Sequence, residues 1–479
     1  MSPPNVPAIR RPAGLACSLL ALAAALRVPA LRTDFWLDEI WSLEGFALRA
    51  RSVAGLLVGD GFRHDNNHPL NTLWLFALGE RSDWTLYRAL AFVCGLASVG
   101  AAIALGRRRS RAAGLCAGAL FAGSFLQVVY STEARGYAPA VLFALLAALV
   151  LEEYLETRRR RFLPAFFGCV LFGTLAHPSF AHLYVGALPW TVARTLRTTS
   201  GTRARLVELL RLHAVPVVLQ AAFFAWIVRG ARIGGGPPWA WHEVADDALA
   251  WTLGYPIRTV PAALALGLVG ALVLHELLRL RREGSDLWLL YSGVIVLAPA
   301  LTLALLARPY LFARYFLIPL SFLLLLLAGA LARLARVPRW GTLACLALLA
   351  AFGAGNLLHL APFYDHGRGG ARAAMDYVLE HSPPGEIVLT GAPVDLWTEA
   401  PAAFYARRLS PDRAVRYVER ATARREGVPV QWFVEQSEAR RPPTPDAEIT
   451  LGGRRFGLAG TYPAYGPSGL HWFLYRRGG

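Results

Sequence analysis

The sequence contains no lysine, so arginine alone carries its positive charge, and the formal net charge is +17. Charged residues of either sign make up only 17% of the 479 residues, whereas 55% are hydrophobic. This composition excludes an ordinary soluble domain. Apolar runs of about twenty residues recur along the chain, and a run of that length can cross a bilayer as a helix. The composition therefore predicts a polytopic membrane protein.

Cysteine is scarce, and its five copies form no recognisable motif. All of them lie inside apolar stretches, and no two form a CxxC pair. A cysteine in such surroundings behaves as a small apolar core residue. The pattern therefore excludes a disulfide framework and a thiolate metal site. The five are Cys17, Cys94, Cys116, Cys169 and Cys345.

The arginine clusters, such as those at 107–111 and 158–161, fall between the apolar runs. Membrane proteins concentrate arginine in their cytoplasmic loops, so the basic balance indicates topology, and no nucleic-acid partner is expected. Placing every cluster inside gives about eleven transmembrane helices, with the N-terminus cytoplasmic and the C-terminus outside. The predicted spans cover approximately residues 13–31, 84–106, 112–130, 138–152, 162–176, 180–195, 212–228, 260–278, 287–306, 311–331 and 342–360.

The composition changes from Ala361 onward. A helical pattern is followed by a Pro-Gly turn and a short strand-like run over 386–390, and the chain ends in a second strand-like run, LHWFLYRR. About 120 residues suffice for a small domain. The sequence thus predicts a mainly α fold, with a transmembrane domain over 1–360 and a small extracytoplasmic α/β domain over 361–479.

A small set of ionisable residues lies on the predicted outer side. Charge is costly at a membrane, so these residues are candidates for function. They come from separate outer loops that the topology could bring together on one face. The set is Asp38, Glu39, His64, Asp65, His68, Glu133, Arg135, His177, His242, Glu243, Arg308 and Arg314.

Two adjacent carboxylates, Asp38 and Glu39, follow the first span within RTDFWLDEIWSLEGF. A carboxylate near a substrate hydroxyl can act as a general base, and its neighbour could hold a ligand, a metal or an arginine. The pair could instead cap an amphipathic helix predicted over 40–58 at the membrane interface, because acids suit the positive end of a helix dipole. The residues alone leave both interpretations open.

The polar run RHDNNHPLNTLW follows, with His64, Asp65 and His68. Together with Asp38 or Glu39, these side chains could hold a divalent metal ion. The alternative is that they line and order the wall of a cavity. No short pair of histidines on a helix supports the metal, so a divalent cofactor stays an open expectation.

Arginines on the outer side indicate an anionic ligand. Arg135 lies in YSTEARGY at the mouth of two spans, and its planar guanidinium matches the oxygens of a phosphate. Glu133 is expected to orient it. Arg308 and Arg314 stand outside beside a span, against the positive-inside rule. The alternative for each is an arginine whose side chain extends to the interface without a ligand.

The order of these motifs resembles the C-type glycosyltransferase (GT-C) superfamily. LDEIW follows the first span, NNHPLNTL and YSTEARGYA come next, and ARYFLIPLSFLLLLLAG precedes a polar C-terminal region. The chain is most similar to bacterial family 39 enzymes related to protein O-mannosyltransferases and aminoarabinose transferases. The resemblance implies an inverting transfer of a sugar from a polyprenyl-phosphate donor to an acceptor on the outer face of the bacterial cytoplasmic membrane.

The resemblance also implies roles for individual residues. Asp38 matches the base or acceptor ligand of the family, with Glu39 beside it as a second catalytic residue. Arg135, Arg314 and Tyr315 match elements that contact the donor phosphate. The other residues expected in the substrate cavity are His64, Asp65, His68, Glu133, Tyr137 and Arg308.

Departures from the family pattern affect the acceptor. Leu70 replaces the second proline of the HPPL element of many relatives, and no loop could hold the β-trefoil domain of protein mannosyltransferases. A lipid or glycan acceptor is therefore at least as well supported as a protein. Two other functions fit a polytopic protein. A transporter or flippase predicts inverted repeats and charges near the midplane, and a non-catalytic scaffold predicts tolerant outer loops.

Overall fold

The computed structural model describes residues 11–58, 63–232, 234–235, 238–257, 261–305, 311–439 and 442–478. The chain is mainly helical, and the strands are confined to its C-terminal part. The helices before that part are α1 Arg11–Leu31, α2 Leu37–Ile40, α3 Val53–Val58, α4 Pro69–Leu78, α5 Thr85–Arg107, α6 Arg111–Gly123, α7 Phe125–Tyr130, α8 Tyr137–Thr157, α9 Phe162–Ala176, α10 Ala181–Thr198, α11 Thr202–Phe223, α12 Trp241–Leu253, α13 Ala262–Arg282, α14 Leu287–Ser292, α15 Ala298–Leu305, α16 Leu317–Leu334 and α17 Gly341–His366.

Among the described residues, eight helical runs are long and apolar enough to cross a membrane, which confirms a multi-pass membrane protein. Three further apolar helices, α4, α6 and α9, are shorter. The eight runs are Gly14–Leu31, Thr85–Arg107, Tyr137–Thr157, Thr202–Val228, Ala262–Arg282, Leu287–Leu305, Ala313–Leu334 and Gly341–His381.

The predicted span over 112–130 is divided into α6 and α7 by a break at Ser124. Arg27 of α1 is fully buried there and donates hydrogen bonds to the carbonyls of Phe121 (3.2 Å) and Ala122 (3.1 Å) at the end of α6. The amide of Phe125, which begins α7, donates to a side-chain oxygen of α17 at 2.6 Å. Because the backbone groups released by the break have partners, the helix can end inside the bundle.

The segment after α1 differs from the single amphipathic helix predicted over 40–58. It forms α2, a π-helix over Trp41–Ala47 and α3. Leu43 and Ala47 are buried, and the ring of Phe35 stacks on Phe404 of the C-terminal part at 5.5 Å. The first half of the segment is therefore covered by protein, whereas Leu48 and Val53 farther along are exposed.

The C-terminal part contains a six-stranded mixed sheet with the order β2-β1-β3-β6-β5-β4. The first three strands in this order are parallel, and the others pair antiparallel. The predicted strands at 386–390 and at the chain end correspond to β1 and β6, which confirms a small C-terminal α/β unit. The elements are α18 Ala371–His381, β1 Ile387–Ala392, α19 Asp395–Leu409, β2 Val415–Tyr417, α20 Arg420–Glu426, β3 Trp432–Ser437, β4 Glu448–Leu451, β5 Arg454–Tyr462 and β6 His471–Arg477.

Candidate active site

Asp38 is the residue around which the outer polar side chains gather. Its Oδ2 atom lies 3.2 Å from Nη1 of Arg135 and 3.4 Å from Nη1 of Arg314, and its side chain is 14% exposed. These residues come from α2, from the irregular segment over 131–136 and from a 3₁₀ turn over Ala313–Phe316. One carboxylate oxygen thus faces two guanidinium groups, and the convergence expected from the predicted topology is present.

Arg135 is almost fully buried and is oriented by polar neighbours. Its Nη1 donates to Oδ1 of Asn66, and its Nη2 donates to the hydroxyl of Tyr137 at 3.3 Å. Burial lowers the pKa of Arg135, but the electrostatic effects of Tyr137, Asp38 and Glu133 outweigh it, so the pKa lies above its ordinary value. Arg135 therefore carries a positive charge in a buried site.

Arg314 and Tyr315 connect Asp38 to a second polar group. The guanidinium of Arg314 lies 4.1 Å from the ring centre of Phe312. The hydroxyl of Tyr315 donates to Oδ2 of Asp65 at 3.2 Å, and the other oxygen of Asp65 lies 2.9 Å from Nδ1 of His64. Burial raises the pKa of Asp65, but the hydrogen bond and charge of His64 lower it by more. The pKa therefore lies below its ordinary value, and Asp65 stays ionised.

His68 and His177 pack edge to face, with ring centres 4.7 Å apart. Nδ1 of His68 accepts a hydrogen bond from the amide of Gly136 at 2.8 Å. Burial first, and then the charge of Arg135, lower the pKa of His68 well below its usual range and that of His177 to about 3. Both rings are therefore neutral at physiological pH, and His68 holds the segment that carries Arg135.

Gly136 is required by its close approach to α9. A Cβ atom at this position would lie 1.9 Å from the carbonyl oxygen of Ala176 and 3.1 Å from the Cβ atom of His68. Only glycine fits here without moving the backbone. The glycine of YSTEARGY therefore lets the 131–136 segment pack against the membrane helices.

Glu39 differs from its neighbour Asp38 in its surroundings. It is fully buried, and Arg88 of α5 donates to both of its oxygens, Nε to Oε1 at 2.8 Å and Nη2 to Oε2 at 2.6 Å. Oε1 also accepts from the amide of Ala134 at 2.7 Å. Burial raises the pKa of Glu39, but Arg88 outweighs it and lowers the pKa below the ordinary value. Glu39 was predicted as a catalytic residue, and the contacts described for its oxygens are to protein groups.

The guanidinium of Arg135 contacts Asn66, His68 and Tyr137. The contacts described for the carboxylate of Glu133 are to residues of the C-terminal part. Glu133 is fully buried, its Oε2 accepts from the hydroxyl of Ser468 at 2.9 Å, and the same atom lies 3.9 Å from Nε of Arg368. Burial raises the pKa of Glu133 and the charge of Arg368 only partly offsets this. Glu133 therefore links the 131–136 segment to the C-terminal part.

A cavity of about 330 Å³ adjoins this cluster. Its polar end includes His64, Asp65, His177 and Tyr315, and its walls toward the membrane helices are mainly apolar, with His182 and Thr302 among them. A second, polar cleft of about 30 Å³ lies on the other side of Arg314, between the membrane part and the C-terminal part. The apolar walls of the larger cavity are formed by Val185, Phe223, Ile227, Val228, Ala298, Leu301 and Leu305.

His242 and Glu243 lie away from this cluster, on α12. His242 is exposed at the start of α12, and Glu243 accepts a hydrogen bond there from the amide of Ala240 at 3.4 Å. Arg308 lies outside the described residues. Within the described ranges, no group of three or more His, Cys, Asp or Glu side chains stands close enough together to hold a metal ion. The residues described thus do not fit a divalent metal centre.

Sequence reasoning missed Asn66, Arg88, Arg368 and Ser468. Arg88 lies within an otherwise apolar run, and a charge at such a position signals a buried partner. Asn66 stands within the motif that supplied the predicted histidines, but an asparagine gives no electrostatic signal. Arg368 and Ser468 reach the site only through the packing of the C-terminal part, and no local pattern marks them.

No family model matches the chain, and no curated protein matches it in sequence. Among solved structures, ArnT from Cupriavidus metallidurans bound to undecaprenyl phosphate matches with a TM-score of 0.50 and 13% identity, over 96% of this chain and 98% of that chain. ArnT from the same organism in the apo state matches with a TM-score of 0.49 and 14% identity, over 88% of this chain and 93% of that chain. An oligosaccharyltransferase from Archaeoglobus fulgidus in complex with zinc and sulfate matches with a TM-score of 0.48 and 12% identity, over 88% of this chain and 68% of that chain.

At these identities the likeness concerns the fold alone. The match to ArnT with undecaprenyl phosphate extends over nearly the whole chain, including the C-terminal part. This likeness agrees with the predicted fold, which is a bundle of membrane helices followed by a small C-terminal sheet.

Proposed function

We propose that the chain is an inverting glycosyltransferase that transfers a sugar from a polyprenyl-phosphate donor to an acceptor at the outer face of the cytoplasmic membrane. The observation that carries this proposal is the cluster of Arg135 and Arg314 around Asp38. Two positive charges face one negative charge, so the cluster attracts an anion. The Nε atoms of both arginines are buried and have no hydrogen-bond partner in the described part of the chain.

A phosphate group suits this arrangement. Buried donors in proteins nearly always find acceptors, so two unpartnered guanidinium Nε groups indicate a missing ligand oxygen. A phosphate offers several oxygens, and arginine binds phosphate through paired, charge-assisted hydrogen bonds. Tyr315 follows Arg314 in the chain, and its hydroxyl donates a hydrogen bond to Asp65. Arg135, Arg314 and Tyr315 together would hold the donor phosphate.

The neighbouring cavity supports a lipid-linked donor. Its polar end contains Tyr315, the residue after Arg314, and its far walls are apolar side chains of membrane helices. A ligand with a charged head and a hydrocarbon tail could place its head at the arginines and its tail along these walls. The fold likeness to a protein solved with undecaprenyl phosphate supports this ligand class.

In the proposed reaction, an acceptor hydroxyl attacks the anomeric carbon of the sugar from the side opposite the phosphate. Asp38 takes the hydroxyl proton as the new C–O bond forms. The bond between the anomeric carbon and the phosphate oxygen breaks, and its electron pair leaves with the phosphate. Arg135 and Arg314 stabilise the negative charge that develops there. A phosphate needs no proton in order to leave, so one carboxylate suffices.

Glu39 has a positioning role in this mechanism. Its carboxylate holds the amide of Ala134 next to Arg135, while Arg88 neutralises its charge. The acceptor is a lipid, glycan or protein that reaches the cluster from outside. The polar cleft beside Arg314 opens between the membrane part and the C-terminal part and offers such an approach.

The test uses purified protein in detergent with a panel of polyprenyl-phosphate monosaccharides. We expect binding and slow transfer or donor hydrolysis by the wild type. Asp38→Asn should keep donor binding and lose turnover about 100-fold or more, the usual cost of a lost general base. Arg135→Ala should weaken donor binding. The exposed residues Asp412 and Arg424 provide matched controls, because Asp412→Asn and Arg424→Ala change the same chemical groups far from any predicted role.

Two outcomes would contradict the proposal. Full transferase activity in Asp38→Asn would remove the base assignment. If no polyprenyl-phosphate sugar bound to the wild type, the proposed transferase function would be wrong. A transporter or a scaffold would then explain the fold better.

A further inference from the structure

Two loops of the C-terminal part, over 367–370 and 466–470, pack against each other behind the site. The amide of Leu470 donates to the carbonyl of Arg368 at 3.2 Å. A Cβ atom at Gly469 would lie 2.4 Å from the oxygen of Arg368, and one at Gly369 would lie 2.2 Å from the oxygen of Leu470. Both glycines also have positive φ angles, +127° at Gly469 and +108° at Gly369. Glycine at both positions therefore permits the close packing of the two loops. We call the segments over 367–370 and 466–470 the loop pair.

The loop pair inserts one buried arginine and one buried serine into the membrane part. Nη2 of Arg368 donates to the carbonyls of Val129 at 3.0 Å and Thr132 at 3.1 Å, and its Nη1 donates to the hydroxyl of Thr33. The carbonyl of Val129 belongs to the last turn of α7 and that of Thr132 follows the helix, where the last helical carbonyls have no partner within the helix. Ser468 donates to Oε2 of Glu133 at 2.9 Å. The loop pair thus fixes residues 132 and 133, directly before Arg135.

The outer loops of the membrane part hold the other half of the same segment. The amide of Ala134 is held by Glu39 at 2.7 Å, its carbonyl accepts from Asn71 at 2.7 Å, and the amide of Gly136 is held by His68 at 2.8 Å. The 131–136 segment has no regular secondary structure. The conformation of this segment, and with it the position of the Cα atom of Arg135, depends on contacts from the loop pair and from the membrane part.

We propose that Arg368 and Ser468 are positioning residues for Arg135, so that the C-terminal part completes the phosphate site. The inference rests on the proposed function, because it takes Arg135 as a ligand of the donor phosphate. Arg368 and Ser468 contact the last turn of α7 and the 131–136 segment, so their effect on phosphate follows from the placement of that segment. A misplacement of about 1 Å at such a distance from the chemistry can cost about 100-fold in rate.

The test compares wild type, Ser468→Ala, Ser468→Thr and Arg368→Gln, with the exposed Arg424→Gln as a matched control. Binding of undecaprenyl phosphate and of uncharged undecaprenol is measured on the full-length protein in detergent, together with thermal unfolding. We expect Ser468→Ala and Arg368→Gln each to weaken undecaprenyl phosphate binding about tenfold, and Ser468→Thr, which keeps the hydroxyl, to retain it. Undecaprenol binding should not change.

A double-mutant cycle separates positioning from general stability. Once Arg135 is replaced by alanine, the loop pair has no guanidinium to position, so adding Ser468→Ala should weaken phosphate binding no further. If the two effects multiply, or if Ser468→Ala only lowers the unfolding temperature, the inference is overturned. Ser468→Ala keeps the test decisive even where Arg368→Gln fails to fold.

The two proposals fail in different ways. A wild-type protein that does not bind undecaprenyl phosphate would overturn the proposed function together with this inference. A wild type that binds it, with Ser468→Ala binding equally well, would overturn the positioning role alone.

Discussion

The ion pair between Glu39 and Arg88 gives a prediction that separates positioning from catalysis. Glu39→Gln keeps the size and shape of the side chain but removes its charge. The new amide group would then face N–H groups of Arg88, which now contact the carboxylate at 2.8 and 2.6 Å. Both side chains have no exposed surface, so water cannot compensate the remaining charge.

The magnitude follows from this burial. Removal of one partner from a buried ion pair costs about 3–5 kcal/mol, because the other charge stays buried and unpaired. Arg88 keeps hydrogen bonds to the carbonyls of Leu31 (2.8 Å), Thr33 (2.7 Å) and Asp34 (2.7 Å), so the lower half of that range is expected. Replacing both partners by apolar residues, as in the double variant of Glu39→Leu with Arg88→Met, should restore much of the lost stability.

The assay is thermal unfolding in detergent, with donor binding and turnover measured on the same samples. As a positioning residue, Glu39 should change stability and donor affinity together. The apolar double variant should recover part of the stability but not the affinity, because leucine cannot accept a hydrogen bond from the amide of Ala134. The reasoning is refuted if Glu39→Gln unfolds like the wild type but loses turnover with donor binding intact. That result would make Glu39 a catalytic residue in direct contact with substrate.

Three further predictions concern the surroundings of the site. Gly136→Ala should lose donor binding, because the added Cβ would lie 1.9 Å from the oxygen of Ala176; binding equal to wild type would contradict this. Burial raises the pKa of Asp34 to about 6, and its carboxylate accepts from the amide of Arg372. Since the folded state binds this proton more tightly than the unfolded state does, stability should fall as the pH rises from about 4 to about 6. Unfolding temperatures of Asp34→Asn should lack this slope, and an unchanged slope would assign it to other groups. Transfer should persist in EDTA because arginines stabilise the leaving phosphate; loss of transfer that Mg²⁺ restores would contradict this.

The convergence of Asp38, Arg135 and Arg314 could be predicted from the sequence for a physical reason. Charges are excluded from the apolar interior, so residues on one predicted side of the membrane share a narrow layer. In a bundle of helices that layer is small, and loops distant in sequence must meet there. The positions of apolar runs and arginine clusters therefore carried information about contacts between distant residues.

The partners of Glu39 and Glu133 could not be predicted in this way. Two adjacent acids look equivalent in a sequence, but a helical turn directs Asp38 toward the arginines and Glu39 toward Arg88 of α5. Arg368 reaches the membrane part only because two glycine-containing loops cross. Such contacts depend on side-chain direction and on tertiary packing, and neither has a period in the sequence.

The shared oxygen of Asp38 has a consequence for the order of events in the proposed reaction. The carboxylate lies against both guanidinium groups, so the oxygen that would take the hydroxyl proton is already held by two ion pairs. An arriving phosphate would compete for the same guanidinium groups and release the carboxylate. The base would thus become active only once the sugar is in place. An enzyme built in this way would not activate an acceptor before the donor binds. Its kinetics would be ordered, with the donor binding first and the acceptor second.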